Sequence, residues 1–223
     1  KMIGRGVPDQ AIDSFADAYA RAAAGETGLI REDDIAPLAN PATLDRGQID
    51  PDAARAALSV TALIKLNGGL GTGMGLDRAK SLLTVRDGRN FLDLQVEQAR
   101  HARRTWGVRL PLLFMNSFRT RDDTLAHLAR YDDLAVDGLP VDFVQNQVPK
   151  IDAATFEAAS WPTDPELEWC PPGHGDVYVA LVASGLLDQL RQRGFRYASI
   201  ANGDNLGAGP DADLAAWFAA SGA

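Results

Sequence analysis

The stretch VTALIKLNGGLGTGMGLDRAKS, residues 60–81, decides how the chain folds. Its opening VTALIKL is short, β-branched and almost wholly apolar, the pattern of a strand buried on both faces. Five glycines follow within eight positions, Gly68, Gly69, Gly71, Gly73 and Gly75, and Lys80 closes the run. Such a run behind a buried strand lets backbone N–H groups approach a ligand closely and form an anion-binding concavity. Neither common phosphate template fits. A P-loop places glycine directly before Lys-Ser/Thr, but Ala79 precedes Lys80-Ser81; a dinucleotide fingerprint starting at Gly69 puts Met74 in its last position. Lys80 would still offer its charge to a phosphate. The competing reading is a turn that binds nothing, against which stands the entropy that so many glycines lose on folding.

Outward from this loop, apolar strands alternate with helical periods. SLLTV (81–85) leads to FLDLQVEQARHARRTW (91–106), a helix; LPLLFMN (110–116) reads as a second buried strand and RTRDDTLAHLARY (119–131) as a helix. VDFVQ (141–145) is a third strand, DVYVALVASGLLDQLRQR (176–193) one helix closed by Gly194, FRYASIAN (195–202) a fourth buried strand and ADLAAWFAAS (212–221) a final helix. Apolar strands alternating with helices predict an α/β fold with a doubly wound, mostly parallel sheet. Upstream, PDQAIDSFADAYARAAAG (8–25) is an amphipathic helix carrying Ile12, Phe15 and Tyr19, residues 26–50 are rich in turn formers, and a short helix spans about 52–58. The division expected is a helical segment and loop over 1–58 packing on a catalytic domain over 59–223. The chain opens at Lys1 and ends SGA just after a helix, so it is expected to be a portion of a longer protein.

A formal net charge of -8 disfavours nucleic acid and anionic membrane as partners. A polyanionic ligand would need local positive charge, and Lys65, Arg78, Lys80, Arg86 and Arg89 outnumber Asp77 and Asp87 between residues 65 and 89. Cys170 is the single cysteine, which excludes an internal disulfide and multi-cysteine zinc sites. With neither a long apolar run nor an export signal in these residues, a soluble cytoplasmic protein is expected.

In open parallel sheets, ligands bind beyond the carboxyl ends of the strands. The loops after residues 66, 115, 145 and 201 are therefore expected to converge, and three further stretches carry candidate residues. In WCPPGHGDVY (169–178), Gly173 and Gly175 leave His174 sterically bare, and Asp176 stands where it could cap the next helix; the plainer reading is a solvated helix start. In SIANGDNLG (199–207), Asp204 beside Asn202, Gly203 and Asn205 suits Mg²⁺, which seldom has an all-protein cage, although the spacing alone equally describes an Asn-Gly turn. In VQNQVPKI (144–151), the amides of Gln145, Asn146 and Gln147 could read a nucleobase edge.

LNGGLGTGMG with Lys80 five positions beyond, FLDL, PLLFMNS followed by DDTL, the glutamine-bearing strand end before Pro149, PPGHGD and NGDNLG occur in one order. This ordered set resembles the eukaryotic-type UDP-glucose pyrophosphorylase (UTP–glucose-1-phosphate uridylyltransferase) family over roughly residues 60–220. The resemblance implies the nucleotide-sugar transferase form of the doubly wound sheet, with the rest of the catalytic domain and a C-terminal β-helix beyond these residues. It implies Mg²⁺-dependent, reversible transfer of a uridylyl group from UTP to glucose 1-phosphate, giving UDP-glucose and pyrophosphate. Carried over by position, Leu66, Asn67, Gly68, Gly69, Lys80, Met115, Gln145, Gly173 and Asp204 would hold UTP. Gly68, Gly69, His174, Asn202 and Gly203 would hold the sugar phosphate; Lys80 and Asp204 would be the catalytic pair, with Asp204 on the metal. The family's proline before the lysine is Ala79 here, and its pyrophosphate-side lysine has no counterpart in these residues. A relative using another sugar 1-phosphate and a non-catalytic nucleotide-binding fragment are the competing readings; oligomeric state is left open.

Overall fold

The computed structural model describes residues 1–70 and 78–222. Gly71, Gly73 and Gly75 of the expected phosphate loop, with Met74 and Asp77, lie outside the described residues. In chain order the elements are α1 (Asp9–Ala23), α2 (Pro51–Ser59), β1 (Thr61–Asn67), β2 (Thr84–Arg86), β3 (Arg89–Asn90) and α3 (Phe91–Trp106). β4 (Leu112–Asn116), α4 (Arg121–Leu128), β5 (Asp142–Val144), β6 (Val148–Pro149) and β7 (Trp169–Cys170) follow. α5 (Asp176–Ala183), α6 (Leu186–Gln192), β8 (Tyr197–Asn202) and α7 (Ala212–Ser221) complete the sequence. Two compact units emerge, one from Lys1–Asp45 with Gln147–Cys170, the other from Arg46–Asn146 with Pro171–Ala223.

In the first unit β6 pairs antiparallel with β7, Val148 opposite Cys170. The Lys1 ammonium lies 2.5 Å from Glu168, and the Tyr19 hydroxyl donates to the Phe156 carbonyl at 2.9 Å.

The second unit is the α/β body that the alternation predicts. Its main sheet has the order β5-β4-β1-β8, and all three pairings are parallel. Because side chains alternate across a strand, Leu63, Leu112 and Phe114 enter one core with Leu58, Leu92 and Val96, while Ala62, Ile64, Leu113 and Met115 enter another with Phe143, Val177 and Leu181. Each such large side chain, fully buried, stabilises by about 1.5–3 kcal/mol relative to exposure. Helices therefore cover both faces, as a parallel sheet requires. α2 starts where Asp50 accepts from the amides of Asp52 and Ala53 with Pro51 just inside. α3 starts at a capping box: Asn90 accepts from the Asp93 amide, and Asp93 accepts from the Asn90 amide, each at 3.0 Å.

Two expectations are corrected. The helix read over 176–193 is two, because Ser184 ends α5 and Gly185 takes a left-handed φ of 69° that turns the chain before α6. β8 is not buried on both faces among the described residues, since Ala198 and Ser199 are exposed.

Candidate functional site

The parallel order brings the ends of β1 and β8 side by side, with Leu66 paired to Asn202. Beyond them opens a cavity of about 300 Å³ lined by Leu66, Asn67, Gly69, Lys80, Ser81, His174, Asn202, Gly203 and Asp204. Residues from three separate loops thus meet at one place. Lys80 opens a 3₁₀ turn, Lys80–Leu82, whose position is set by its own amide donating to the Gly69 carbonyl at 3.1 Å. Its ammonium reaches Asp204 Oδ2 at 2.7 Å, across 124 positions of sequence. That ammonium, which donates to the carboxylate and attracts its charge, holds the Asp204 carboxyl below the usual range.

The Asp204 loop is fixed from several sides. The Gly203 amide donates to the Leu66 carbonyl at 2.8 Å, and the Gly203 carbonyl accepts from the side chain of Gln95. Gln98 donates to the Leu206 carbonyl at 2.9 Å, and Lys65 to the Ala208 carbonyl at 2.7 Å. A Cβ on Gly203 would lie 2.8 Å from the Leu66 carbonyl oxygen, so glycine is required by space at that position. Lys65 is 2% exposed, and burial pushes its ammonium pKa down. It braces the loop instead of presenting charge to a ligand. Arg86 pairs with Asp87, and Arg89 with Asp87 and Glu97, so the local positive charge counted in the sequence is largely answered by carboxylates.

A buried polar network lies at the end of β1. Asn67 Nδ2 donates to Asn116 Oδ1 at 2.7 Å and to Thr124 Oγ1 at 2.9 Å; Asn116 Nδ2 donates to Asp142, which also accepts from Arg121 at 2.8 Å. Thr120 donates to the Asn67 carbonyl at 2.9 Å. These contacts lock the ends of β1, β4 and β5 together. Gln145, on the far side of this join, donates its amide to the Asn116 carbonyl at 2.8 Å and lays its side chain against Gly68, where a Cβ would lie 2.5 Å from Gln145 Nε2.

The remaining expected residues take other positions. Met115 is fully buried in the second core and pairs with Leu66 across β1. Gly173 has a φ of 111°, which favours glycine, and it turns the chain into exposed His174 at the cavity. Asp176 does not cap α5. Its carboxylate accepts from the Asn146 amide at 2.6 Å and from Asn146 Nδ2 at 2.8 Å, and burial, opposed by these two bonds, leaves its pKa raised. Asn146 is thereby tied to Asp176 through its backbone and one side-chain N–H.

Sequence reading missed Ser81, Gln95, Asn116 and the threonines. Gln95 had a signal: it falls on the face of α3 that buries Leu92, Val96 and Ala99, where a polar side chain needs a partner. Ser81 has another kind of significance. Its hydroxyl is buried without a hydrogen-bond partner among the described residues, a state that costs about 1–3 kcal/mol.

Among the described residues, Asp204 is the only carboxylate lining the cavity, and no group of three or more His, Cys, Asp or Glu suited to a metal occurs. One carboxylate with open space beside it is a donor set that fits a hard cation completing its shell with water and ligand oxygens. A family model described as UTP–glucose-1-phosphate uridylyltransferase matches residues 12–223. A protein of that name from Solanum tuberosum is 40% identical over 181 residues, covering 81% of this chain and 36% of its own length. One from Schizosaccharomyces pombe, named as probable, is 42% identical over 158 residues, 70% of this chain and 31% of its own. The structure of a UDP-glucose pyrophosphorylase variant from Leishmania major in complex with UDP-glucose superposes with a TM-score of 0.90 at 42% identity, covering 99% of this chain and 46% of that one. The chain thus spans about a third of the curated relatives' length. By the match of its sequence, its sheet and its ordered loops, the chain belongs to the UTP–glucose-1-phosphate uridylyltransferase family.

Proposed function

We propose that this chain carries the substrate site of a UTP–glucose-1-phosphate uridylyltransferase and brings UTP and glucose 1-phosphate together there. The observation that carries this reading is the Lys80–Asp204 pair, 2.7 Å apart in a cavity beyond the ends of β1 and β8. A cation and an acid from distant loops, surrounded by glycine backbone, are what a site joining two phosphates needs. Leu66, Asn67, Gly68, Gly69, Met115, Gln145 and Gly173 are assigned to UTP with Lys80 and Asp204. His174, Asn202 and Gly203, with the two glycines of the loop, are assigned to the sugar phosphate. The complex of the Leishmania major relative with UDP-glucose agrees with this choice of ligand class.

In the reaction proposed, a phosphate oxygen of glucose 1-phosphate attacks the α-phosphorus of UTP. The new P–O bond forms as the bond to the β-phosphate breaks, and pyrophosphate departs with the electron pair. The attacking phosphate is already ionised at neutral pH, so the site needs no general base, and charge neutralisation with alignment supplies the acceleration. Lys80 turns from Asp204 to the phosphates when they bind. Gln145, held by Gly68, faces the base; the rigid Gly203 turn sets Asp204. Mg²⁺, held through Asp204 and substrate oxygens, would supply further positive charge to the phosphates.

The test is release of pyrophosphate from UTP and glucose 1-phosphate by the chain, with Lys80→Ala alongside. Little turnover is expected with the native sequence, which has no counterpart of the pyrophosphate-side lysine, and Lys80→Ala is expected to reduce it on the order of 10²-fold or more while its melting temperature stays close, since exposed ion pairs contribute about 0–1 kcal/mol. UTP binding without pyrophosphate release from any sugar phosphate would leave the nucleotide-binding fragment as the correct reading. Turnover with a different sugar 1-phosphate alone would transfer the assignment to that substrate.

A further inference from the structure

Ser81 stands beside Lys80 in the wall of the cavity and is 4% exposed. Its hydroxyl oxygen is buried and meets no hydrogen-bond partner among the described residues. Buried hydroxyls are almost always satisfied, and an exception at a binding cavity calls for a ligand. The segment that carries it is well fixed. Leu70 and Ala79 form an antiparallel bridge, the Lys80 amide is bonded to Gly69, the Leu82 amide to Ala79 and the Leu83 amide to Lys80. The backbone therefore cannot turn Ser81 elsewhere at little cost. Ala79, two positions earlier and 1% exposed, shows that this segment buries a methyl group readily, so a polar oxygen at position 81 is not demanded by packing.

We propose that Ser81 is a phosphate-binding residue of the candidate site: its hydroxyl, closed off in the described conformation, rotates about χ1 toward the cavity that the residue lines and donates a hydrogen bond to a phosphate oxygen of the bound nucleotide, next to the charge that Lys80 supplies. This rests on the reading of the cavity as a nucleotide site. The geometry divides the work between neighbours. Lys80 is a mobile cation that must exchange one anionic partner for another, whereas Ser81 is a short donor in a rigid turn that fixes where the phosphate oxygen lies. The hydroxyl has no partner among the described residues and gains one when phosphate binds, so the stability lost by burying it returns as affinity.

Removing the hydroxyl should therefore act in opposite directions on stability and on binding. For the chain as it stands, calorimetric titration with UTP, NMR titration with uridine at millimolar concentration and thermal melting would be compared for the native sequence, Ser81→Ala and Ser81→Cys. In Ser81→Ala, UTP affinity is expected to fall about tenfold, uridine affinity to hold, and the melting temperature to stay or rise. Ser81→Cys, which restores volume with a weak donor, is expected to bind UTP like the alanine variant. UTP affinity within twofold of native in Ser81→Ala would overturn the proposal. So would equal weakening of uridine, recovery of UTP binding in Ser81→Cys, or a lower melting temperature that tracks the loss of binding. If the native chain bound neither UTP nor UDP-glucose, the nucleotide reading would fall and Ser81's role with it; native binding with an unaffected Ser81→Ala would remove Ser81 alone.

Discussion

Gly68 shows how much one missing side chain can decide. Its absent Cβ leaves room for the Gln145 side-chain amide; a Cβ there would lie 2.5 Å from Gln145 Nε2 and 3.0 Å from both its Oε1 and its amide carbon. Gln145 is buried, and its backbone is tied to Asn116, so it can withdraw only by changing rotamer. Gly68→Ala is therefore expected to displace the Gln145 side chain and cost about 1–3 kcal/mol of stability by overpacking. It should reduce the preference for UTP over other nucleoside triphosphates, measured by competitive binding; an unchanged preference would separate Gln145 from the base. The glycine loop announced itself in the sequence, as did Lys80, Asp204 and His174, because glycine density and polar strand ends are local signals. Asn116 was not legible in that way. Its partners Asn67 and Asp142, and Thr124 to which Asn67 also donates, are dispersed through the chain, and only the registers of β1 with β4 and of β4 with β5 reveal that the four side chains form one network.

Between elements, the join of α3 to α4 is polar where an apolar contact would ordinarily serve. Asp93, in the first turn of α3, accepts from the Asn90 amide, lies 2.6 Å from His127 Nε2, and accepts from the Tyr131 hydroxyl at 2.6 Å. Burial disfavours the charged carboxylate, but the bonds from Tyr131, Asn90 and His127 outweigh it and hold the Asp93 pKa below the ordinary range. The same contact acts in reverse on Tyr131, whose pKa burial and the Asp93 charge push up to about 12 from 10.0. A folded-state pKa above the unfolded value means that the neutral phenol is favoured in the fold. The stability it brings is fully present below pH 10 and is lost as pH rises through about 12. Tyr131→Phe is expected to lower stability near neutral pH by about 1 kcal/mol and to flatten the decline between pH 10 and 12 relative to the native chain. Melting temperature against pH checks both; parallel curves for the two proteins would show that Tyr131 does not titrate with folding. At this scale the sequence placed strands and helices well where apolar period ran unbroken. It joined α5 to α6 because a glycine within a helical pattern is often tolerated, and nothing local in SGLL states that Gly185 turns left-handed.

At the scale of the whole molecule, the question is which residues the α/β body needs in order to stand. α2 lies within the segment 1–58 that the sequence sets apart, yet it buries Ala54, Ala57 and Leu58 in the core with Leu63, Leu92 and Ala216. Just before it, Arg46 binds Asp211 at 2.6 Å and Asp213 at 3.0 Å, fastening the start of this stretch to the first turn of α7. Residues 1–45 make their compact unit with residues 147–170 instead. A protein beginning at residue 46 is therefore expected to keep a cooperative thermal transition for the α/β body and its affinity for UTP. Beginning at residue 59 should abolish the transition or lower its midpoint severely, because Leu58 alone is comparable to a buried leucine whose truncation costs about 2–5 kcal/mol. Against total stabilities of about 5–15 kcal/mol, loss of the entire helix is more than such a body can absorb. Circular dichroism melts of the two shortened proteins decide the matter. Similar melts would place the true division after residue 58, with α2 an ornament on the core; a folded body from residue 46 and a collapsed one from residue 59 would make α2 part of the sheet's own support.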